Sequence, residues 1–250
     1  MTVEFQSWPK IPRLASPFII TEKIDGTNSA VLIEEEWWGP SPRVDHPACV
    51  AVVFGGETDP DDGFPLQQYV VYAQSRKRFV TPESDNFGFA AWVRDNAEAL
   101  VKILGPGRHF GEWWGNGIQR GYGLPKGEKR FSLFNVTRHN PFDNFMDLAI
   151  AQRSNVFYGG PSPFPDMPTL GLVPLVSWLN EDTDVVRVGS YVDAAIGALR
   201  DHGSYAAEFD KPEGVVLFHS GSRQTFKAFV DDTEKAAEVA LRKSDMELVA

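Results

Sequence analysis

Cysteine is nearly absent from this chain, and so are long apolar runs. The 250 residues include a single cysteine, Cys49, so no disulfide can form within the chain, and this usage is typical of intracellular proteins. No apolar run approaches the ~18 residues that a membrane-spanning helix needs. The first residues, MTVEFQSWPK, also lack the basic-then-apolar pattern of a secretion signal. We therefore expect a cytoplasmic protein that does not enter a membrane.

Basic residues are outnumbered by acidic ones. The chain carries 24 Lys and Arg against 34 Asp and Glu, which gives a formal net charge of −10 at pH 7. This balance argues against a protein that coats nucleic acid over a broad surface. It does not exclude a local basic groove. Arg76, Lys77 and Arg78 could supply one, although such a cluster is usually just a solvated patch.

Several common catalytic motifs are missing. The chain has no phosphate-binding Gly-Lys-Ser/Thr, no His-Glu-x-x-His and no Gly-x-Ser-x-Gly. The five histidines are scattered without the spacing of metal ligands. Phosphate-loop enzymes, zinc proteases of the common type and serine hydrolases of the nucleophile-elbow type are therefore excluded as models for its chemistry.

The patterns that are present predict a mixed α+β fold with antiparallel strands. An apolar content of 42% is enough for a sizeable core, and we interpret residues 1–250 as one domain. Residues 36–68, rich in Pro, Gly and Asp, are interpreted as an elaborated hairpin or surface insertion around the apolar run 48–54. Short apolar runs and alternating patterns predict strands near 18–20, 29–33, 69–73, 110–114, 130–136, 172–178, 215–218 and 224–230. Helical spacing predicts helices over 87–104, 146–152, 191–200 and 232–248.

Lys23 lies in a turn between two predicted strands, within TEKIDGTNSAVLIEE. A lone lysine is most often a solvated charge. Here Glu22 and Asp25 flank it, and Gly26 allows the backbone to pass close to a ligand. A lysine held in such a place could act as a nucleophile, provided that the site lowers its pKa from the usual ~10.4.

The Lys-x-Asp-Gly-x-Asn sequence at Lys23 resembles the nucleophile motif of covalent nucleotidyltransferases, which include ATP-dependent DNA and RNA ligases and mRNA capping enzymes. Three further blocks, in the same order, resemble the RNA ligase 2 family. They are SRKRFVTPESDNFGF at 75–89, FGEWWGNGIQRGYGLPKGEKRFSLFNV at 110–136, and PEGVVL at 212–217 followed by FKAFV at 226–230. The resemblance implies an ATP-grasp-like ligase core of two antiparallel sheets.

The resemblance also implies roles for individual residues in ATP binding. Arg76 would contact the nucleotide and the RNA phosphate, and Glu112 would bind the ribose hydroxyls. Phe134 would stack on adenine. Glu22 and Asn28, on either side of the lysine, would belong to the same nucleotide site. The alternative for Glu112 is a core acid paired with Arg130. On pattern alone, core packing is the better interpretation of Phe134, which follows Phe131 and Leu133 in a predicted strand, and only the resemblance assigns it to the nucleotide.

The catalytic roles follow from the same resemblance. Lys23 would attack the ATP α-phosphate and carry AMP, Lys227 would contact that phosphate, and Glu213 would help to hold Mg²⁺ (or Mn²⁺) or its waters. On the sequence alone Glu213 is a plain turn acid. Mg²⁺ prefers oxygen ligands and keeps several waters, which suits one or two carboxylates together with phosphate oxygens.

Two features depart from the family pattern. The last motif usually reads Lys-x-Lys, but here Phe229 stands where the second lysine is expected. This puts the efficiency of one phosphate-transfer step in doubt. After Lys227 the chain has room for one helix and none for an appended nucleic-acid-binding OB domain, so we expect a core that stands alone.

These observations predict an ATP-dependent RNA ligase that joins 5′-phosphate and 3′-hydroxyl ends through a lysyl-AMP intermediate. Asn28 favours this over DNA ligases and capping enzymes, which usually have Arg there. Two alternatives stay open: a nucleotidyltransferase that adenylylates another acceptor, and a nucleotide-binding interaction module without turnover, which Phe229 supports. The expected partners are ATP and RNA ends or a nicked duplex, with a protein partner that supplies RNA binding.

Overall fold

The computed structural model describes residues 5, 7–8, 10–13, 15–37, 46–58, 65–158, 163–179 and 188–231. They form an α+β fold of two largely antiparallel sheets with few helices, as the sequence predicted. The strands are β1 Phe18–Lys23, β2 Thr27–Trp37, β3 Cys49–Thr58, β4 Pro65–Ser75, β5 Phe79–Val80, β6 Gly107–Gly115, β7 Lys129–Leu133, β8 Leu170–Leu172, β9 Leu175–Leu179, β10 Gly214–His219 and β11 Gln224–Phe229. The helices are α1 Phe89–Asp95, α2 Ala97–Leu104, α3 Val136–His139, α4 Phe145–Tyr158 and α5 Val188–His202.

The small sheet has the strand order β11-β10-β1-β9, and all its pairings are antiparallel. Its register places Lys23 opposite Gly214, and Gly214 opposite Phe229. Directly paired residues project to the same face of a sheet. The end of β1 is thus aligned with residues that lie about 200 positions later in the chain.

The large sheet has the order β3-β4-β2-β6-β7-β8, and β5 pairs with β4. Its pairs are antiparallel except β7 with β8. β1 belongs to the small sheet and β2 to the large one, so the short turn between them connects the two sheets. This turn carries the sequence that the motif analysis singled out.

The core follows from the alternation of apolar residues along the strands. Val31 and Ile33 of β2 and Val71 and Ala73 of β4 are all buried, and they pack in one cluster with Leu100 of α2. A second cluster lies between the small sheet and α5, where Ala195 and Leu199 are buried. Both sheets therefore have a firmly packed side, which fixes the positions of their strand ends.

The predicted helix over 87–104 is wrong as a single element, because the structure breaks it into α1 and α2 at Asn96. The Asn96 backbone is not helical (φ −117°, ψ 16°), and its side-chain amide donates to the Trp92 carbonyl. Asparagine side chains compete with the helix for backbone groups. The predicted end of the helix at Gly105 is confirmed.

The predicted insertion at 36–68 is described at 36–37, 46–58 and 65–68. There it forms the end of β2, the edge strand β3 and the start of β4. The predicted helix over 232–248 lies outside the described residues. Within the described ranges, no helix is both long and apolar enough to cross a membrane.

Candidate active site

The turn between β1 and β2 is held against β6 by close backbone contacts. A Cβ atom on Gly26 would lie 2.5 Å from the Trp113 carbonyl oxygen, so only glycine fits here. The Gly26 N–H donates to the Glu112 carboxylate at 3.1 Å, and the Asp25 N–H donates to the Tyr122 hydroxyl at 3.0 Å. The glycine that the sequence suggested for close approach to a ligand thus meets the protein's own β6.

Lys23 is the last residue of β1 and forms an ion pair with Glu213. The distance from Lys23 Nζ to Glu213 Oε2 is 2.5 Å, and the two side chains are 26% and 14% exposed. The pairing of Lys23 with Gly214 brings Glu213, the residue before β10, to this position. The first and last matched motifs therefore meet through a direct contact between side chains.

Glu112 lies beside this ion pair, on β6. Burial raises the pKa of its carboxyl from 4.5 to about 7, and the negative charges of Glu213 and Asp25 act in the same direction. The charge of Lys23 and the hydrogen bond from Gly26 oppose this rise. Arg130, the other partner considered for Glu112, pairs instead with Glu128, to which its Nη2 donates at 2.6 Å.

Lys227 and Phe229 project to the same face of the small sheet as Lys23. The Lys227 ammonium lies 5.0 Å from the centre of the Phe229 ring, and the Lys23 ammonium lies 5.8 Å from it. A cation near an aromatic ring face is attracted by its quadrupole. The aromatic residue that departs from the family pattern thus lies between two lysines.

A cleft of about 820 Å³ opens at the junction of the two sheets. Its wall includes six residues with predicted roles: Lys23, Glu22, Asn28, Arg76, Glu112 and Phe134. Glu213 and Lys227, which are also described, are not part of the wall and join the group through their contacts with Lys23 and Phe229. All eight predicted site residues are thus near one end of the small sheet or in the cleft beside it.

The structure shows the exposure of Phe134 and the side-chain direction of Asn28, neither of which could be decided from the sequence pattern. Phe134 follows the end of β7 and is 40% exposed in the cleft rather than part of the core. Asn28 faces Glu112 directly across β2 and β6, so their side chains project to the same side. Arg76 is exposed in the turn after β4. These three residues leave polar and aromatic surface available inside the cleft.

Glu22 belongs to the cleft wall, but its carboxylate is hydrogen-bonded to residues outside that wall. It accepts hydrogen bonds from the Ser204 hydroxyl at 2.6 Å and from the Tyr205 N–H at 2.8 Å, and it is 1% exposed. Burial raises its pKa to about 7. Neighbouring strand residues point to opposite faces, so Glu22 projects away from the side on which Lys23 lies.

Two other groups at the site were not found from the sequence. Arg120 forms an ion pair with Asp25 at 3.1 Å and donates to the Lys211 carbonyl at 2.8 Å, which connects the turn between β1 and β2 to the segment before β10. His109 and His139 lie side by side in the cleft wall. Arg120 is 95 residues from Asp25, and no local sequence signal connects such partners.

The residues present fit a divalent cation held mainly by a nucleotide. In the described part of the chain, no group of three or more His, Cys, Asp and Glu is arranged to hold a metal ion. However, Glu112, Glu213 and Asp25 lie close enough together for their charges to raise the pKa of Glu112. A cation bound beside them would relieve this repulsion. Mg²⁺ typically takes one or two carboxylates and fills its other positions with phosphate oxygens and water.

Comparison with known proteins identifies a matching family and similar solved structures. The model of the RNA ligase family matches residues 16–229. Solved structures that match include Naegleria gruberi RNA ligase with PPi, at 16% identity and a TM-score of 0.46, covering 90% of this chain and 52% of that one. Another is its E312A mutant with AMP and Mn, at 16% identity and a TM-score of 0.45, covering 94% and 59%.

The chain spans about half the length of most of these structures, and no curated protein sequence matches it. The family match covers most of the chain. It begins at Ser16, two residues before β1, and ends at Phe229, the last residue of β11. It therefore includes both strands that carry Lys23 and Lys227. The chain belongs to the RNA ligase family.

Proposed function

We propose that the protein is an ATP-dependent RNA ligase that works through a covalent lysyl-AMP intermediate. The Lys23 nitrogen would bond to the α-phosphorus of ATP as the bond to pyrophosphate breaks. The 5′-phosphate of an RNA end would then take the AMP and release the lysine. Finally a 3′-hydroxyl would attack that 5′-phosphorus, lose its proton and release AMP. The observation that carries this proposal is the Lys23–Glu213 ion pair beside Glu112, next to a cleft of about 820 Å³.

The first step requires a neutral lysine, because an ammonium has no lone pair for attack on phosphorus. In the ligand-free protein, the Lys23 nitrogen is engaged in an ion pair, 2.5 Å from Glu213 Oε2. The pair must therefore separate, and a nearby base must take the proton. Glu112 is suited to this role because its pKa of about 7 lets it accept a proton at neutral pH. Lys227 would stabilise the negative charge that develops on the phosphate.

The nucleotide would occupy the cleft with its base against Phe134, whose ring is 40% exposed. Glu112 and Asn28 project into the cleft from paired positions on two strands and would hold the ribose. Arg76 would bind phosphate. When bound, Mg²⁺ or Mn²⁺ would neutralise phosphate charge, and Glu213 would help to hold it or its waters.

The proposal is tested by incubating the pure protein with ATP labelled at the α-phosphate and with Mg²⁺ or Mn²⁺. Wild type should acquire an acid-labile label, since phosphoramidates hydrolyse in acid. Lys23→Ala should acquire none. Lys23→Arg should fail as well, because a guanidinium does not deprotonate in proteins. Lys77→Ala, an exposed lysine outside the cleft wall, is the matched control and should label normally.

The acceptor is tested separately with nicked, splinted and single-stranded RNA and DNA. Joined products from RNA ends would support the ligase. Label on the protein without joined products would favour a nucleotidyltransferase for another acceptor. The absence of label from wild type would favour an interaction module without turnover, for which Phe229 in place of a lysine is the supporting observation. Label that persists in Lys23→Ala would remove Lys23 from its role.

A further inference from the structure

Two histidines from different elements meet in the wall of the cleft. His109 lies on β6 and is 1% exposed, whereas His139 is the last residue of α3 and is half-buried. His109 Nδ1 lies 3.4 Å from His139 Nε2, and the ring centres are 5.2 Å apart. His109 Nε2 also lies 2.9 Å from the Gly105 carbonyl oxygen. The three groups form a chain of hydrogen bonds that begins at the backbone and ends in the cleft.

The direction of this chain follows from what each group can do. A carbonyl only accepts, so His109 Nε2 must carry the hydrogen that binds Gly105. A neutral imidazole has one N–H, so His109 Nδ1 is an acceptor and His139 Nε2 must donate to it. The second nitrogen of His139, Nδ1, is therefore left without hydrogen.

Both rings are held in the neutral form that this assignment requires. Burial lowers the pKa of His109, and burial together with the neighbouring His109 and Arg138 lowers that of His139 to about 4. Arg138 stands on α3 beside His139, and Arg108 stands on β6 beside His109; both arginines reach the cleft wall. The positive charge of Arg138 disfavours an imidazolium at either ring.

His139 Nδ1 has no hydrogen-bond partner among the described residues of the chain. Arg138, the charged residue beside His139 in the chain and in the cleft wall, can only donate. The Asn135 side-chain oxygen already accepts from the Arg138 N–H. His139 lines the same cleft as the exposed ring of Phe134. An acceptor nitrogen in this wall would distinguish a ligand with an amino group from one with a carbonyl group at the same place.

We propose that His139 Nδ1 recognises the exocyclic amino group of adenine, with His109 as the positioning residue that fixes its tautomer. The inference rests on the proposed function, since it assumes that the nucleotide base lies in this cleft. A 6-oxo purine would direct an oxygen lone pair at the nitrogen lone pair and would bind less well. The fixed direction of the hydrogen-bond chain would thus select the nucleotide.

Equilibrium binding of ATP and ITP tests this directly, because ITP has an oxygen in place of the adenine amino group. Wild type should bind ATP about tenfold or more tightly than ITP, since a site built for one hydrogen bond rejects the analogue that lacks it. His139→Phe keeps a ring of similar shape without the acceptor, and its ATP/ITP ratio should approach one. His202→Phe, at an exposed position at the end of α5, should keep the wild-type ratio.

Nitrogen-15 NMR of the imidazoles gives a readout that needs no nucleotide. At neutral pH, His139 Nδ1 should show the shift of an unprotonated nitrogen and Nε2 that of a protonated one. His109→Gln still presents an acceptor to His139 and should preserve this pattern. His109→Leu presents none and should give a mixture of tautomers, with a smaller ATP/ITP ratio.

A protonated Nδ1 on His139 at neutral pH would overturn the inference, and so would a wild-type ATP/ITP ratio in His139→Phe. The labelling experiment separates this failure from that of the proposed function. Label formation with equal binding of ATP and ITP would reject the histidine assignment alone. Selective binding of ATP without label would reject the covalent mechanism alone, and no binding of either nucleotide would reject both.

Discussion

Phe134 occupies a boundary between core and cleft. Phe131 and Leu133, two apolar residues of β7, are fully buried. Phe134 lies just past the end of this strand and is 40% exposed. Its backbone N–H donates to the Phe110 carbonyl at 3.0 Å, which fixes the chain at the point where it leaves the strand. The ring is thus held in the cleft by backbone contacts and does not depend on core packing for its position.

Phe134→Ala should weaken ATP binding by ~1–3 kcal/mol through loss of stacking on the base. Phe134→Trp should keep most of the affinity. Calorimetric titration with ATP measures both. Phe54→Ala is the matched control, because Phe54 is similarly exposed but lies on the edge strand β3 away from the cleft. If Phe134→Leu binds ATP as tightly as wild type does, stacking is not the basis of binding here.

The residues that could be predicted from the sequence are those in contiguous motifs. Lys23, Glu112 and Glu213 each stand in a recognisable block, and the structure brings them together as a group. The resemblance, not the alternation of apolar residues, singled out Phe134. His109 with His139, and Arg120 with Asp25, could not be predicted, because each pair is joined only by the folded backbone. The direction of the Glu22 carboxylate was equally hidden, since its partners Ser204 and Tyr205 are far away in the sequence.

The hairpin of β10 and β11 contains Lys227 and Phe229, the last residues of the candidate site along the chain. Val216 pairs with Lys227 and Gly214 pairs with Phe229, so both β11 residues project to the Lys23 face. This register and the contacts of both lysine ammonium groups with the Phe229 ring place Phe229 on the same side as Lys227. Because Phe229 adds no charge, the proposed mechanism would leave Lys227 and a divalent cation to stabilise the transferring phosphate together.

Lys227→Ala should therefore be nearly inactive in forming the AMP adduct, and activity should depend steeply on divalent metal. Phe229→Lys should lower the metal concentration needed for half-maximal adduct, since it adds positive charge beside Lys23 and Lys227. Phe229→Leu removes the ring without adding charge and is the matched control. Adduct yield against Mg²⁺ concentration measures all of these. A Lys227→Ala protein that labels at the wild-type rate would exclude Lys227 from the site.

Some strands and helices were predicted correctly and others were not, depending on the residues within each segment. The β10–β11 hairpin was found because a continuous apolar run in β10 and spaced apolar residues in β11 flank a turn of Ser and Gly. The break between α1 and α2 was missed because apolar residues keep helical spacing across it, while one side chain, Asn96, disrupts the backbone. In residues 36–68, many Pro and Gly masked the long edge strand β3, which is stabilised by its pairing with β4.

The distribution of charge over the molecule sets the expected response to salt. The chain has a net charge of −10, yet three arginines, Arg76, Arg108 and Arg138, are exposed in the cleft wall. Only a few phosphates can therefore be contacted, and RNA should bind weakly. We expect RNA joining to fall steeply as salt is raised, because each phosphate contact displaces counterions. Adduct formation needs only ATP and metal and should fall less. Assay of both reactions from low to moderate salt tests this, and a parallel decline would contradict it.

The stability of the whole fold should depend on pH through Glu22. Its pKa is raised to about 7 in the folded protein from 4.5, so the folded state binds the proton more tightly than the unfolded state. The resulting stability is present below about pH 4.5 and is lost as pH rises through about 7. This change in the pKa of Glu22 corresponds to a difference in unfolding free energy on the order of 3 kcal/mol. Glu22→Gln, which cannot ionise, should therefore gain stability relative to wild type as pH rises from 5 to 8.

Urea unfolding of both proteins across this pH range measures the effect, and their difference cancels the titration of shared groups. Ser204 can adjust to the amide, because its hydroxyl can accept as well as donate. A difference in unfolding free energy that does not change between pH 5 and pH 8 would show that Glu22 does not titrate in this range.

The ion pair between Lys23 and Glu213 joins residues 190 positions apart. During synthesis, β1 leaves the ribosome first, but its two neighbours in the small sheet, β9 and β10, follow only after more than 150 further residues. Closing so large a loop is slow compared with forming local contacts. A nascent chain that lacks the β10–β11 hairpin would have the lysine but neither Glu213 nor Lys227 beside it. Under the proposed mechanism, truncated translation products would therefore be unable to charge themselves with AMP, and only a chain whose small sheet is complete would react.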